Sequence, residues 1–179
     1  MILTIENLCK TYGEKVLFNN VNFSLSDGDK VGIVGVNGTG KSTFIKVIAS
    51  IVPKDSGTIT TGKNTKISYL EQDKVFEPEH TVLMEVFKGT QPLMRALYDY
   101  ELALQASQKN PQDMDLQKKI ITLSSKIDEL NGWQLESDAK TILTKLGIMD
   151  FSAKTKTLSG GQQKRLALAT ALIQPCDLL

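Results

Sequence analysis

The sequence predicts a mixed α/β chain built in two parts, a strand-and-turn part followed by a helical part, on three observations. From Met1 to about Ser68, short runs rich in β-branched and aromatic residues are separated by glycine-containing turns. A glycine-rich loop stands between a short apolar run and a helix-spaced stretch. From Thr81 onward the apolar residues recur every three or four positions, the spacing of one helix face. The 179 residues suffice for one sizeable domain or a domain with an insertion, at roughly 150 residues per domain. Lys and Arg number 21 against 20 Asp and Glu, for a net charge of +1, so no global basic excess advertises a nucleic acid or a membrane surface. At 41% hydrophobic and 23% charged residues, the composition is that of a globular protein.

Ile2-Leu-Thr-Ile5 and the strictly alternating Val21-Asn-Phe-Ser-Leu25 predict half-buried strands. Ser26-Asp-Gly-Asp29 is a turn, and Val31-Gly-Ile-Val34 is expected as a fully buried parallel strand. Ser42 to Ile51 is expected as a helix stopped by Pro53, and Thr58–Thr61 and Lys66–Leu70 as strands. Lys41 and Lys46 interrupt the most hydrophobic stretch, so no run reaches the 18 or so apolar residues of a membrane span. The N-terminus has neither a basic region nor a small-residue cleavage site and is expected to be mature structure. Leu93, Leu97, Tyr100 and Leu104 form one heptad seam, and Leu116, Ile120, Leu123, Ile127 and Leu130 a second. The Asn110-Pro111 step between them breaks the helix and predicts a hairpin, although an ordinary helical half-domain has the same periodicity. Trp133–Leu146, closed by Gly147, and Gln162–Ile173, closed near Pro175, are further helices. Cys9 and Cys176 form neither a disulfide framework nor a Cys-x-x-Cys motif, which makes a reducing cytosol the expected compartment.

Gly35-Val-Asn-Gly-Thr-Gly-Lys41-Ser42 matches G-x-x-x-x-G-K-[ST] in full, with an apolar strand-like run before it and an amphipathic helix after it. Such a loop turns backbone N–H groups inward on a polyphosphate, and the helix adds the positive end of its dipole. Gly35, Asn37, Gly38, Thr39, Gly40, Lys41, Ser42 and Thr43 are therefore the candidate nucleotide-binding residues. Lys41 would serve the β- and γ-phosphates, and the Ser42 hydroxyl would ligate Mg²⁺. A dinucleotide-type loop needs a different glycine spacing and has no use for the Lys-Ser pair.

Leu158-Ser-Gly-Gly-Gln162 also opens a helix, with Ser159 as its N-cap and Gly160 and Gly161 baring backbone N–H groups. The pair formed by the P-loop and Leu158-Ser-Gly-Gly-Gln-Gln-Lys-Arg165 resembles the ATP-binding cassette ATPases, over essentially the whole chain. The resemblance implies a P-loop NTPase core with an antiparallel β subdomain and a helical subdomain: residues 1–80 for the β subdomain and P-loop, 81–157 for the helical subdomain, and 158–179 for the signature motif and its helix. It also implies a second cassette, in the same chain or a dimer, whose ATP γ-phosphate meets Ser159, Gly160, Gly161 and Gln162. Tyr12 resembles the aromatic residue that stacks on adenine, with a plain Tyr-Gly turn as the competing reading. Gln72 resembles the Q-loop glutamine that reaches Mg²⁺ and the attacking water, with a surface loop residue as its alternative.

The family continues with a strand carrying a Mg²⁺-binding Asp and a water-activating Glu, then a switch histidine. Here Pro175-Cys-Asp-Leu-Leu179 stands where that strand would start, so the sequence is expected to be a truncated cassette that binds Mg-ATP and hydrolyses it negligibly by itself. His80 matches no family position and is expected to be a solvated loop residue. The 86-residue interval from Gln72 to Leu158, together with Asn131–Glu136 and Ile142–Ile148, resembles the ABC-F subfamily, soluble proteins with two cassettes and a helical arm that act on the ribosome in translation or antibiotic resistance. The hairpin at about 93–130 would be that arm. It carries five basic and six acidic residues, so ribosome or rRNA binding rests on the resemblance and not on charge. The alternative is the nucleotide-binding subunit of a membrane transporter, itself without membrane insertion. A DNA-repair role is weaker, for want of a basic patch.

Overall fold

The computed structural model describes residues 1–179, which divide into two compact units: Met1–Tyr69 with Pro175–Leu179, and Leu70–Gln174. In the first, β1 (Leu3–Tyr12), β2 (Lys15–Leu25) and β3 (Ser56–Thr61) form an antiparallel sheet in the order β2-β1-β3. Leu3, Ile5 and Leu8 of β1 are fully buried, and Leu25 and Val47 join them in a core reached also by Phe44, Ile48 and Ile59. Helix α1 (Lys41–Ile48) follows the glycine-rich loop, and Phe44 meets Phe18 of β2 edge to face at 5.3 Å between ring centroids.

Two strand expectations are corrected. Val31–Val34 joins no sheet, and Val34 is 95% exposed. A buried parallel strand needs partners on both sides, and nothing within residues 1–179 supplies a ladder to this segment. Lys66–Leu70 is reduced to an isolated parallel bridge between Ile67 and Leu178. That tail contact is fastened by Asp177, whose backbone N–H donates to Lys66 O at 2.8 Å while its carboxylate accepts from the Lys66 N–H at 2.7 Å.

In the second unit α2 (Val82–Phe87), α3 (Pro92–Lys109), α4 (Met114–Glu129), α5 (Trp133–Lys145) and α6 (Gly160–Ile173) enclose a core centred on Phe87, Met94, Leu97, Ile127, Leu143 and Leu166. Pro92 takes the first position of α3, where its missing N–H costs nothing. Asn110-Pro111 separates α3 from α4, and the Asp113 carboxylate caps α4 by accepting from the N–H groups of Asp115 and Leu116. Leu116, Ile120 and Leu123 are half-buried and Ile127 is buried, so the heptad seam is the covered side of α4, the helix that packs on α3. No helix is long and apolar enough to cross a membrane.

His80 is a correction too. Its Nδ1 lies 2.7 Å from Oε1 of the buried Glu85, and its Nε2 lies 3.1 Å from the Tyr98 hydroxyl. A neighbour 18 residues away in sequence makes this histidine a structural link between α2 and α3.

Two outcomes test this account. Gly57, at φ 89°, would drive a Cβ to 2.5 Å from the Asn7 backbone oxygen, so Gly57→Ala should destabilise the chain by about 2 kcal/mol or more in denaturant unfolding. Asp55 accepts from the Lys10 ammonium at 2.6 Å and from the Thr11 N–H and hydroxyl at 2.7 and 2.8 Å, which hold its carboxyl at about 2, below the ordinary 3.8. A depressed carboxyl stabilises the fold above its ordinary value, and that contribution disappears as pH falls through about 2. NMR titration should therefore place the Asp55 midpoint near 2, and in Lys10→Met closer to 3.8.

Candidate functional site

The loop from Gly35 to Gly40 reverses the chain into α1, and two contacts shape it. Gly40 stands at φ 93° as the helix N-cap, and a Cβ there would lie 3.0 Å from Cβ of Leu17 on β2. Glycine is required at this position by conformation and by space together. Inside the loop, the Lys41 ammonium donates to the carbonyl oxygens of Gly35 and Val36, each at 2.8 Å, and the Thr39 hydroxyl donates to Val36 O at 2.9 Å. The carbonyl side is thus engaged from within.

The N–H side is open. No backbone N–H from Gly35 to Thr43 donates to an acceptor in the chain, and the Ser42 and Thr43 hydroxyls make no hydrogen bond. The loop is exposed. Free donors at the positive end of a helix, with an ammonium in the bend, are the donor set of a polyphosphate site. An unengaged hydroxyl at the second helical position suits a hard divalent cation held jointly with phosphate oxygens, so the residues fit Mg²⁺ as well.

Tyr12 ends β1 with 55% of its surface exposed, and the Lys10 ammonium lies 5.5 Å from its ring centroid. Its register partner across the hairpin is Lys15, whose Nζ lies 3.8 Å from the Cβ position of Gly38. The sheet therefore brings the Tyr12 end of the hairpin to the rim of the loop. Lys15 is a site candidate that sequence reasoning missed. Only the strand register points to it, because its spacing from Lys41 means nothing before the strands are paired.

Gln72 and the Ser159–Gln162 motif belong to the second unit. Gln72 is exposed and makes no hydrogen bond. Ser159 and Gln162 close a capping box: the Ser159 hydroxyl accepts from the Gln162 N–H at 3.3 Å, and the Gln162 side chain accepts from the Ser159 N–H at 2.8 Å. The N–H groups of Gly160 and Gly161 remain unengaged, and a Cβ on either would meet open space. The approach to the motif is fastened to the 77–81 segment. Thr155 donates from its hydroxyl to Glu77 O at 2.6 Å and from its N–H to His80 O at 2.9 Å, and Glu79 pairs with both Lys154 and Lys156. Those lysines hold the Glu79 carboxyl at about 2.

The sequence profile of the family described as ABC transporter matches residues 18–179. The chain is 42% identical over 178 residues to the uncharacterized ABC transporter ATP-binding protein YfmR of Bacillus subtilis, covering 99% of this chain and 28% of YfmR. It is 30% identical over 169 residues to the energy-dependent translational throttle protein EttA of Escherichia coli K12, covering 91% of this chain and 30% of EttA. The chain thus spans less than a third of the length of either relative. Among solved structures, a nucleotide-free ATP-binding cassette from an ABC transporter aligns with a TM-score of 0.58 at 26% identity, over 96% of this chain and 64% of that one. The ATP-binding subunit of another ABC transporter aligns at 0.64 with 17% identity, over 97% of this chain and 62% of that one, a likeness of fold.

The capping box makes a local prediction. Ser159→Ala should cost about 1 kcal/mol, read as a Tm lower by about 2–4 °C, whereas Ser159→Gly should cost only a few tenths.

Proposed function

The chain belongs to the ABC transporter family, and from that premise we propose that it is an ATP-binding cassette of ABC-F type that binds Mg-ATP and, as part of a longer protein, serves an ATPase that couples binding and hydrolysis to conformational switching on the ribosome. The observation that carries the nucleotide is the run of free N–H groups from Gly35 to Thr43 around Lys41. In this reading Gly35, Asn37, Gly38, Thr39, Gly40 and Thr43 cradle the phosphates through the backbone, and the Lys41 ammonium leaves the Gly35 and Val36 carbonyls for the β- and γ-oxygens. The Ser42 hydroxyl would hold Mg²⁺, and the cation would supply neutralisation of the phosphate charge. Tyr12 offers its exposed ring face to adenine. Lys15 adds a second cation at the loop rim.

Gln72 is the proposed sensor of Mg²⁺ and the hydrolytic water. Ser159, Gly160 and Gly161 serve the γ-phosphate held by a second cassette. The capping box leaves them free to do so: Ser159 uses one of its two lone pairs on the Gln162 N–H and keeps its O–H, while the glycine N–H groups stay open. A site completed in trans makes ATP the adhesive between two cassettes, and its loss the release. The work is assigned to the cytoplasm.

The ribosomal reading is supported by the likeness to a protein named a translational throttle and by the two long helices α3 and α4, proposed as the arm. The transporter-subunit reading is favoured instead by solved neighbours that come from ABC transporters.

Sedimentation separates the two. With a non-hydrolysable ATP analogue, the protein should pellet with ribosomes, and replacing the analogue by ADP should return it to the supernatant. Analogue binding without pelleting would overturn the ribosomal reading and leave the cassette.

A further inference from the structure

A cavity of about 570 Å³ opens in the second unit, walled by α3, α5 and the segment around Phe151. This is the size of a small-molecule or side-chain pocket. Tyr100 and Trp133 form one wall, packed edge to face at 5.3 Å between ring centroids. Glu101 and Glu136 bring carboxylates to the lining. Glu136 is satisfied, because Lys140 reaches it at 2.5 Å from one turn along α5. Lys154, also on the rim, is held by Glu79. Lys109 stands eight residues beyond Glu101 on α3, about 12 Å along the helix at 1.5 Å per residue. Glu101 is the one carboxylate of the lining with neither an ion pair nor a hydrogen bond in the chain, although it is half-buried, and Lys109 is the one lysine of the lining without an ion pair. Desolvation, then the Glu136 charge, pushes its carboxyl up to about 6. The Tyr100 hydroxyl is raised by burial, then by the Glu136 and Glu101 charges, and Lys140 acts against the shift at both Tyr100 and Glu101.

An unpaired carboxylate in a desolvated setting is relieved by a cation, and aromatic faces beside it favour a flat or alkylated one over a small hydrated ion. We propose that this cavity binds an organic cation, a guanidinium or alkylammonium group, with Glu101 as the counter-ion and the Tyr100–Trp133 pair as its wall. The inference is independent of the nucleotide site.

Trp133 is the single tryptophan of the chain, so its indole N–H gives one NMR signal, which also reports folding. Two probes distinguish a free amine from a protein side chain: agmatine, and a blocked Gly-Arg-Gly peptide with its Gly-citrulline-Gly counterpart as the neutral control. Agmatine, the arginine peptide or both should move the Trp133 signal saturably near pH 7.5, and the citrulline peptide should not. In Glu101→Gln, the response should weaken by about tenfold or more while the unliganded signal keeps its folded position. Response to agmatine alone assigns the cavity to free amines, and response to the peptide assigns it to a side chain of a partner protein. No response to either cation, an equal response to citrulline, or an undiminished response in Glu101→Gln would overturn the proposal.

Discussion

A backbone loop that keeps its N–H groups free for a ligand must be held in shape by other contacts, and this requirement organises the first unit. The interior of the loop is closed by Lys41 on the carbonyls of Gly35 and Val36 and by Thr39 on Val36. Its exit is fixed by Gly40 against Leu17, a contact that puts β2 directly under the start of α1. The sheet in turn holds α1 through Phe18 and Phe44 and through the buried side of Leu3, Ile5, Leu8 and Val47. Nothing in this arrangement consumes the donors that point outward. The same logic recurs on a smaller scale in the second unit, where the capping box satisfies the N-terminus of α6 from within and leaves the N–H groups of Gly160 and Gly161 open.

What could be read from the sequence follows the range of the interactions involved. The loop, the helices and the Ser159 cap are specified by residues within a few positions of one another, and they stand where spacing and capping rules place them. Val31–Val34 was a different case. Its apolar composition is that of a buried strand, yet a strand exists only by pairing, and pairing is a property of distant residues. His80 failed for the same reason. A lone histidine in a polar stretch reads as solvated until Glu85 and Tyr98 are folded around it. Lys15 became visible only through the β1–β2 register that sets it beside Gly38.

Charge is distributed with similar economy. The chain is close to neutral overall, and some of its cations are committed to carboxylates: Lys10 to Asp55, Lys140 to Glu136, Lys154 and Lys156 to Glu79. Local imbalance therefore carries more information than the total. An ammonium in the bend of an open loop marks an anion site, and a half-buried carboxylate without a partner marks the opposite.

The central claim is that the Gly35–Thr43 loop holds the phosphates of Mg-ATP through its backbone and Lys41. Equilibrium binding of Mg-ATP to the wild-type chain and to Lys41→Met, with folding checked by circular dichroism, tests it most directly. The account predicts saturable binding by the wild type and a loss of about tenfold or more in affinity in the folded variant, the size of one charge-assisted contact to phosphate. Equal affinity in the two folded proteins, or no binding by either, would contradict it.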